Sequence, residues 1–593
     1  MGQNARERAR AAQWVRSRTI RQHPAGSGNG DTTRAAGHSG EPVLREGTFQ
    51  HVDDTELSRV RAAGVAVFVF GSVAMKRGGL TRAILDRIRL YAHTGITVRL
   101  LLTAPRSNEL REEADIRKAW SIPDSVEIRY FWREVTPGGP MAPADAVVQT
   151  YEEPGLTTLS ALPNGEIVHF FRDGVPVKTK HFTEDGQLYH TEYYDDAGRG
   201  RSREYFEPDG QLVYADELDA VTGRPVVRRW FDSTGQAWLT TWLNRSPAAT
   251  VRHTPLKVHY DDFCDVVAEW VDEIIAEDIA PVVISDSRSH DRVLLALRHP
   301  RVRTIAVLHN CHTTVPYTAD AKIKGHYAPL LDNLSGYDAV VTLTHRQHDD
   351  VSARFGEANY IVINHPSPET EVTHVPRAPN RLVSVCRISR QKRLEDAIRA
   401  FSLAAPLVPE AHFDIYGTGG QMNRLKSLVR SLDMSERIRF RGFTDRPLEV
   451  FAGATATVLS SRFEGLPLVL NEAMGVGTPF IAYDLNYGPA EVIRHEIDGL
   501  LVPSGDVEAL SAAMVRILTD PVLAASLGER AREVRERFSM RRWTEEWIGL
   551  FADQVARSLA DEGHGADSTL KERAAPEATT RWSLSVTSSA TTA

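Results

Sequence analysis

Two glutamates eight positions apart, Glu464 and Glu472, lie in the apolar stretch SRFEGLPLVLNEAMGVGTPF, from Ser461 to Phe480. A helix with one acid near its N-terminus and the other on a wet face would account for them blandly. A helical rise of about 1.5 Å per residue would separate them by about 12 Å. That is long for the acid pair of a glycoside hydrolase, at roughly 5 to 9.5 Å. Carboxylates that far apart suit two parts of one extended ligand. Pro467 stands near the start of a helix whose free N–H groups could face a phosphate. Glu472 would then lie two turns along, near a ribose, with Glu464 in the loop reaching a sugar.

Upstream, RISRQKRLEDAIRAF sets Arg387 and Lys392 just after the apolar run RLVSVC. Two cations where a strand end feeds a helix would suit a diphosphate; a solvated basic turn is the other reading. YGTGG, containing Gly417, could let a nucleotide approach the backbone or simply turn the chain. Gly78 and Gly79 in KRGGLTRAIL raise the same two readings. LHNCHTT offers His309 and His312, either as site residues or as buried hydrogen-bonded histidines. No DxD-like metal site stands in a suitable place, and Cys264, Cys311 and Cys386 lie far apart with no CxxC pair, so neither a cysteine zinc site nor a disulfide framework is indicated.

These residues need a scaffold. At 593 residues the chain exceeds one core and predicts two to four domains. A hydrophobic fraction of 42% with 25% charged residues is globular composition, and a net charge of -8 gives no electrostatic case for nucleic acid. Residues 1–45, arginine-rich and then Gly/Ser/Thr-rich, read as a solvated basic tail; a basic anchor on an anionic membrane is the alternative. Residues 557–593 read as a second tail. No apolar run approaches 18 residues and no signal-peptide h-region is present, so a cytosolic enzyme is expected.

Between the tails, apolar strands alternate with amphipathic helices over 46–145 and again over 252–377 and 378–556, the pattern of parallel α/β sheets. The rhythm breaks over 146–251. Glycines recur at 174, 186, 198 and 210, twelve apart, then at 223 and 235, with aromatics Phe170, Phe182, Tyr194 and Phe206 in step. Turns needing positive φ, separated by β-type segments, predict an antiparallel meander of six or seven strands. Its mixed polar and aromatic faces predict that it lacks a dry core of its own. It reads as an insertion into the first of two Rossmann-like domains, which should hold ligands in the cleft between them.

The run FEGLPLVLNEAMGVGTPFIAYDLNYGPAEVI resembles the Glu-x7-Glu region of retaining GT-B glycosyltransferases of family 4, and the upstream pair Arg387 and Lys392 reinforces the likeness. With the meander, the resemblance narrows to wall-teichoic-acid α-glycosyltransferases, acting on poly(ribitol- or glycerol-phosphate), and accessory-Sec protein O-GlcNAc transferases. It implies a GT-B fold in which Arg387 and Lys392 grip the donor diphosphate, Glu472 binds the ribose, and Glu464 touches the donor sugar. Gly78 and Gly79 match the loop over the phosphates, His309 the histidine near the sugar, and Gly417, Gly465 and Leu466 further donor-site positions. Asp498, in HEIDGLLV, replaces the usual Asn. The implied reaction moves a hexose or N-acetylhexosamine from a UDP-sugar to a polymeric or protein acceptor, without metal or other cofactor. A non-catalytic acceptor-binding partner subunit is the alternative, though it would have no chemical need for all four charged residues. Association with the inner face of a membrane and self-association through the insertion are further expectations.

Overall fold

A computed structural model describes residues 54–73, 79–104, 113–137, 152–160, 167–183, 186–207, 210–244, 249–253, 258–370, 372 and 375–561. The expected basic tail lies outside these residues, as does the C-terminal tail apart from 557–561. Two parallel sheets and one antiparallel sheet make up the described fold.

The first sheet has seven parallel strands in the order Tyr360–Val362, Ala339–Thr342, Arg303–Leu308, Ala280–Ser285, Gly64–Phe70, Thr97–Leu102 and Val126–Tyr130. GVAVFVF and APVVIS are buried along their whole length, as strands covered by helices on both faces must be. The edge strand VEIRY was not anticipated. Its alternating Val, Glu, Ile and Arg carry too little apolar signal to separate it from a loop.

The meander is larger than expected. Ten antiparallel strands, from Thr157–Ser160 to Val258–Tyr260, pair in strict sequence order. The expected count of six or seven omits strands such as Thr250–Arg252 and Val258–Tyr260, whose three residues are too few to show alternation. The insertion's sheet thus runs past residue 251. The predicted turn chemistry is present: Gly198 has φ +73°, and the Asp195 carboxylate accepts from the N–H groups of Ala197 and Arg199 at 3.0 and 2.8 Å. One end of this sheet shares the core of the first domain. The Trp230 ring stacks on Trp132 at 3.3 Å, while Tyr214, Trp238 and Leu239 join a buried cluster with Val67, Val283 and Leu308. Among the described residues, a small cluster around Val168, Phe170 and Phe182 is its own.

The second parallel sheet runs Ile438–Gly442, His412–Tyr416, Arg381–Val385, Ala456–Leu459, Phe480–Asp484 and Gly499–Pro503. Strand order reverses at Arg381–Val385, which pairs with His412–Tyr416 on one side and Ala456–Leu459 on the other. Crevices at the carboxyl ends of strands form at such a reversal. The last helix, Met540–Ala560, belongs by sequence to the second half but packs on the first. Its Phe551 ring lies 5.1 Å from Tyr91, and Ser558 Oγ donates to the Arg301 carbonyl at 2.8 Å. Its apolar stripe, with Trp547, Phe551 and Val555, is buried there in one cluster with Phe68, Tyr91 and Val282. No single described helix is long and apolar enough to cross a membrane.

Candidate active site

The site forms where strand ends of the two parallel sheets face each other. After Arg381–Val385 the chain makes a turn of 3-10 helix, Arg390–Lys392, and Arg393 adopts φ +46° before the helix Leu394–Ala404. Ser460 Oγ donates to the carbonyls of Lys392 and Arg393 at 3.1 Å each, tying this turn to the loop after Ala456–Leu459. Lys392 Nζ thereby reaches Glu464 Oε1 at 2.6 Å, and Gln391 Nε2 donates to Glu464 Oε2 at 3.2 Å. Glu464 is only 6% exposed, and a carboxylate so nearly buried requires partners of this kind. Arg387 stands exposed at the end of the same strand. Between strand end and loop lies a small recess lined by Cys386, Lys392, Ser460, Ser461 and Val469.

The helix after this loop begins only at Leu468, with Pro467 at its N-cap. Helical spacing between Glu464 and Glu472 therefore does not apply, and the 12 Å expected from it falls away. Glu472 sits buried in the second turn, where Arg82 Nη1, from the first domain, donates to its Oε1 at 2.6 Å. The attraction of Glu472 raises the already high pKa of Arg82, against the opposing effect of burial. Arg82 lies on the helix Gly79–His93, and a Cβ at Gly79 would stand 3.7 Å from Leu468. The glycine turn thus abuts the helix that carries Glu472. Gly78 lies outside the described residues.

Gly465 and Gly417 have packing roles. A Cβ on Gly465 would lie 2.2 Å from the His309 carbonyl oxygen, so the two domains meet backbone to backbone beside Glu464. Gly417, at φ +128°, would put a Cβ 1.9 Å from the Cys386 carbonyl oxygen; close approach of two strand ends is enough to demand glycine. Leu466 is buried.

The two histidines differ. His312 is fully buried, both its ring nitrogens lack a partner, and burial pushes its pKa down to about 4. It is a core residue beside Tyr487, at 6.0 Å. His309 reaches the cleft rim after Arg303–Leu308, and its Nε2 contacts Asp286 Oδ1 at 2.5 Å. Asp286 also accepts from Arg87, which is 2% exposed. Burial opposes the Asp286 charge, yet Arg87 and His309 hold its carboxyl well below the usual carboxylate range. Burial also lowers the His309 pKa, with Asp286 resisting.

Further contacts close the cleft. Lys324 Nζ sits 3.8 Å from the Phe463 ring, Asn486 Nδ2 donates to the Tyr317 carbonyl at 3.1 Å, and His345 Nδ1 meets Glu491 Oε1 at 2.6 Å. The structure therefore brings Lys392 to Glu464, Glu472 to the start of the first-domain helix, and His309 to Gly465. Arg82, Arg87, Asp286 and Gln391 were not anticipated. The signal for Asp286 was its place directly after a buried strand, in VISDSRSHD; the others have none.

Residues 369–534 match the family profile described as glycosyl transferases group 1. The chain carries a group 1 glycosyltransferase domain. It is 37% identical over 232 residues to an exopolysaccharide phosphotransferase of Streptomyces coelicolor, covering 39% of this chain and 25% of that protein. It is 25% identical over 355 residues to the poly(glycerol-phosphate) alpha-glucosyltransferase of Bacillus subtilis, covering 57% of this chain and 52% of the relative. The chain thus spans between a quarter and about half the length of these two relatives. Among solved structures, TarM of S. aureus, a complex with UDP and alpha-GlcNAc-glycerol among its ligands, superposes with TM-score 0.67 at 16% identity, over 82% of this chain and 99% of that one. The fold of this chain is GT-B, two parallel sheets facing a cleft, together with the antiparallel sheet.

Proposed function

We propose that this protein transfers a hexose or N-acetylhexosamine from a UDP-sugar to a hydroxyl of a polymeric acceptor of the polyol-phosphate type, with retention of the α configuration. The observation that carries the reading is the Lys392–Glu464 contact at the strand-order reversal, with buried Glu472 on the next helix. The poly(glycerol-phosphate) relative and the UDP and alpha-GlcNAc-glycerol held by TarM support the donor and acceptor classes.

In this reaction the acceptor oxygen bonds to the anomeric carbon on the face that UDP leaves. The anomeric carbon–phosphate oxygen bond breaks, and a phosphate oxygen takes the acceptor proton. Negative charge grows on the leaving diphosphate, and preorganised Arg387 and Lys392 oppose it. Glu472 accepts from the ribose hydroxyls and Glu464 from the donor sugar. Arg82 occupies one oxygen of Glu472 and leaves the other for the ribose. Cations at the leaving group make a metal unnecessary.

The test is a screen of UDP-glucose, UDP-N-acetylglucosamine and UDP-galactose, with and without polyol-phosphate acceptor, reading the nucleotide released. UDP release that rises with acceptor is the expected result; no turnover and no UDP binding would refute the proposal. The phosphotransferase relative raises a second reading, transfer of a sugar phosphate. That reaction would release UMP, so the same chromatogram separates the two.

A further inference from the structure

The donor-site roles proposed above do not account for the buried charges behind His309. Asp286 follows the strand Ala280–Ser285 and is 5% exposed, and Arg87 projects from the middle of the helix Gly79–His93. The Arg87 guanidinium lies 4.3 Å from the Trp547 ring and 5.5 Å from Phe68, so the returning C-terminal helix forms one wall of its pocket. An interior ion pair is costly to bury and is weak evidence for stability. Its placement points to another use. Asp286 Oδ1 accepts from both Arg87 and His309, and a carboxylate beside a guanidinium stays ionised and can only accept.

That chemistry fixes the imidazole. Nε2 must carry the proton it donates to Asp286, so the neutral ring has its lone pair on Nδ1. Among the described residues nothing bonds to His309 Nδ1, and the side chain keeps 13% of its surface exposed. The same residue's carbonyl touches Gly465, next to Glu464. The other side of the ring faces His365, stacked at 5.8 Å. Burial first, then the neighbouring His309, push the His365 pKa to about 3, so His365 supplies no competing cation.

We propose that Asp286, held by Arg87, is a positioning residue that locks His309 as the Nε2–H tautomer and so presents Nδ1 as a hydrogen-bond acceptor to a hydroxyl of the donor sugar. A hydroxyl donates there without moving any proton off the imidazole. This rests on the transferase reading above. Outer residues that orient a histidine in this way are worth roughly 10- to 100-fold elsewhere.

The experiment uses the full chain and whichever UDP-sugar the wild type turns over. Asp286→Asn keeps the shape but offers an amide N–H where His309 needs an acceptor, and it reverses the tautomer or turns the ring. Its kcat for donor hydrolysis should fall at least about tenfold while the donor KM changes less than about threefold. Asp286→Glu, which restores a carboxylate, should recover part of that loss. Nitrogen NMR on histidine-labelled wild type reads the tautomer directly, with His309→Gln as the blank that assigns the signal. The expected pattern is a protonated Nε2 and an unprotonated Nδ1 at pH 7.5. This measurement stands even if Asp286→Asn does not fold. A protonated Nδ1 in the wild type, or full turnover in a folded Asp286→Asn, would overturn the proposal. A wild type that neither turns over any UDP-sugar, with or without acceptor, nor binds UDP would instead refute the transferase reading and with it the sugar contact, while the NMR pattern still decides the tautomer.

Discussion

Gly465→Ala tests whether the two domains must meet as closely as the structure has them. The new Cβ would lie 2.2 Å from the His309 carbonyl oxygen, 2.6 Å from its carbon and 3.0 Å from the Asn310 nitrogen. All three are backbone atoms at the end of a buried strand and cannot rotate away. Restoring ordinary contact, at about 3.4 Å, moves one loop by roughly 1.2 Å. The loop at 463–467 cannot absorb this alone, because Glu464 exchanges backbone hydrogen bonds with Asn486 and Tyr487 at 3.1 and 3.0 Å and holds Lys392 through its side chain. The cleft must open, or Glu464 must leave Lys392. A displacement of about 1 Å at a reacting centre can cost about 10² in rate, and overpacking typically costs 1–3 kcal/mol of stability, so about 2 kcal/mol is expected here. The assay is kcat for donor hydrolysis beside a urea unfolding midpoint. Gly549→Ala is the control: it sits within the last helix with nothing within 4 Å of its Cβ, and should gain about 0.5–1 kcal/mol without loss of turnover. If Gly465→Ala turns over within threefold of the wild type, the close backbone approach is not needed for the chemistry.

Arg387→Ala and Lys392→Ala should each lower turnover by at least about 10²; wild-type rates in both would remove the diphosphate assignment. Glu472→Ala should weaken UDP binding by about 1.5–3 kcal/mol, while Glu464→Ala should damage transfer and leave UDP affinity nearly intact; equal losses in calorimetry would sink that division. Activity should survive EDTA, and complete loss restored by Mg²⁺ or Mn²⁺ would count against cations standing in for a metal. Stability should fall between pH 7.5 and 5. Burial lowers the pKa of His290 and His312 to about 4 and of His365 to about 3. The unfolded chain therefore binds protons first, by up to about 1.4 kcal/mol per pH unit for each histidine below its ordinary pKa. Urea midpoints that are equal or higher at pH 5 would refute this.

The sequence by itself determined the elements whose periodicity is strong. GVAVFVF and APVVIS are buried along their length and RLVSV in its middle three residues, and each is a strand of a parallel sheet. The twelve-residue glycine step marked the hairpins because only a few residue types tolerate positive φ at a turn. Strand ends and helix starts, where free N–H groups and clefts lie, were legible as the places to look for charged residues, and Lys392 and Glu464 do meet at one of them.

Tertiary structure alone decided the rest. Short or polar strands, such as Val258–Tyr260 and VEIRY, are held by their neighbours in the sheet rather than by their own pattern. That the meander shares a core with the first domain depends on Trp230 meeting Trp132, 98 positions away in sequence, which no local periodicity encodes. The partners of the site residues, Arg82 on Glu472 and the pair Arg87 and Asp286 behind His309, come from distant segments. Gly417 and Gly465 look alike in sequence, as glycines near a presumed phosphate. Folding shows what each is for, because the space a Cβ would need is filled by backbone from elsewhere in the chain.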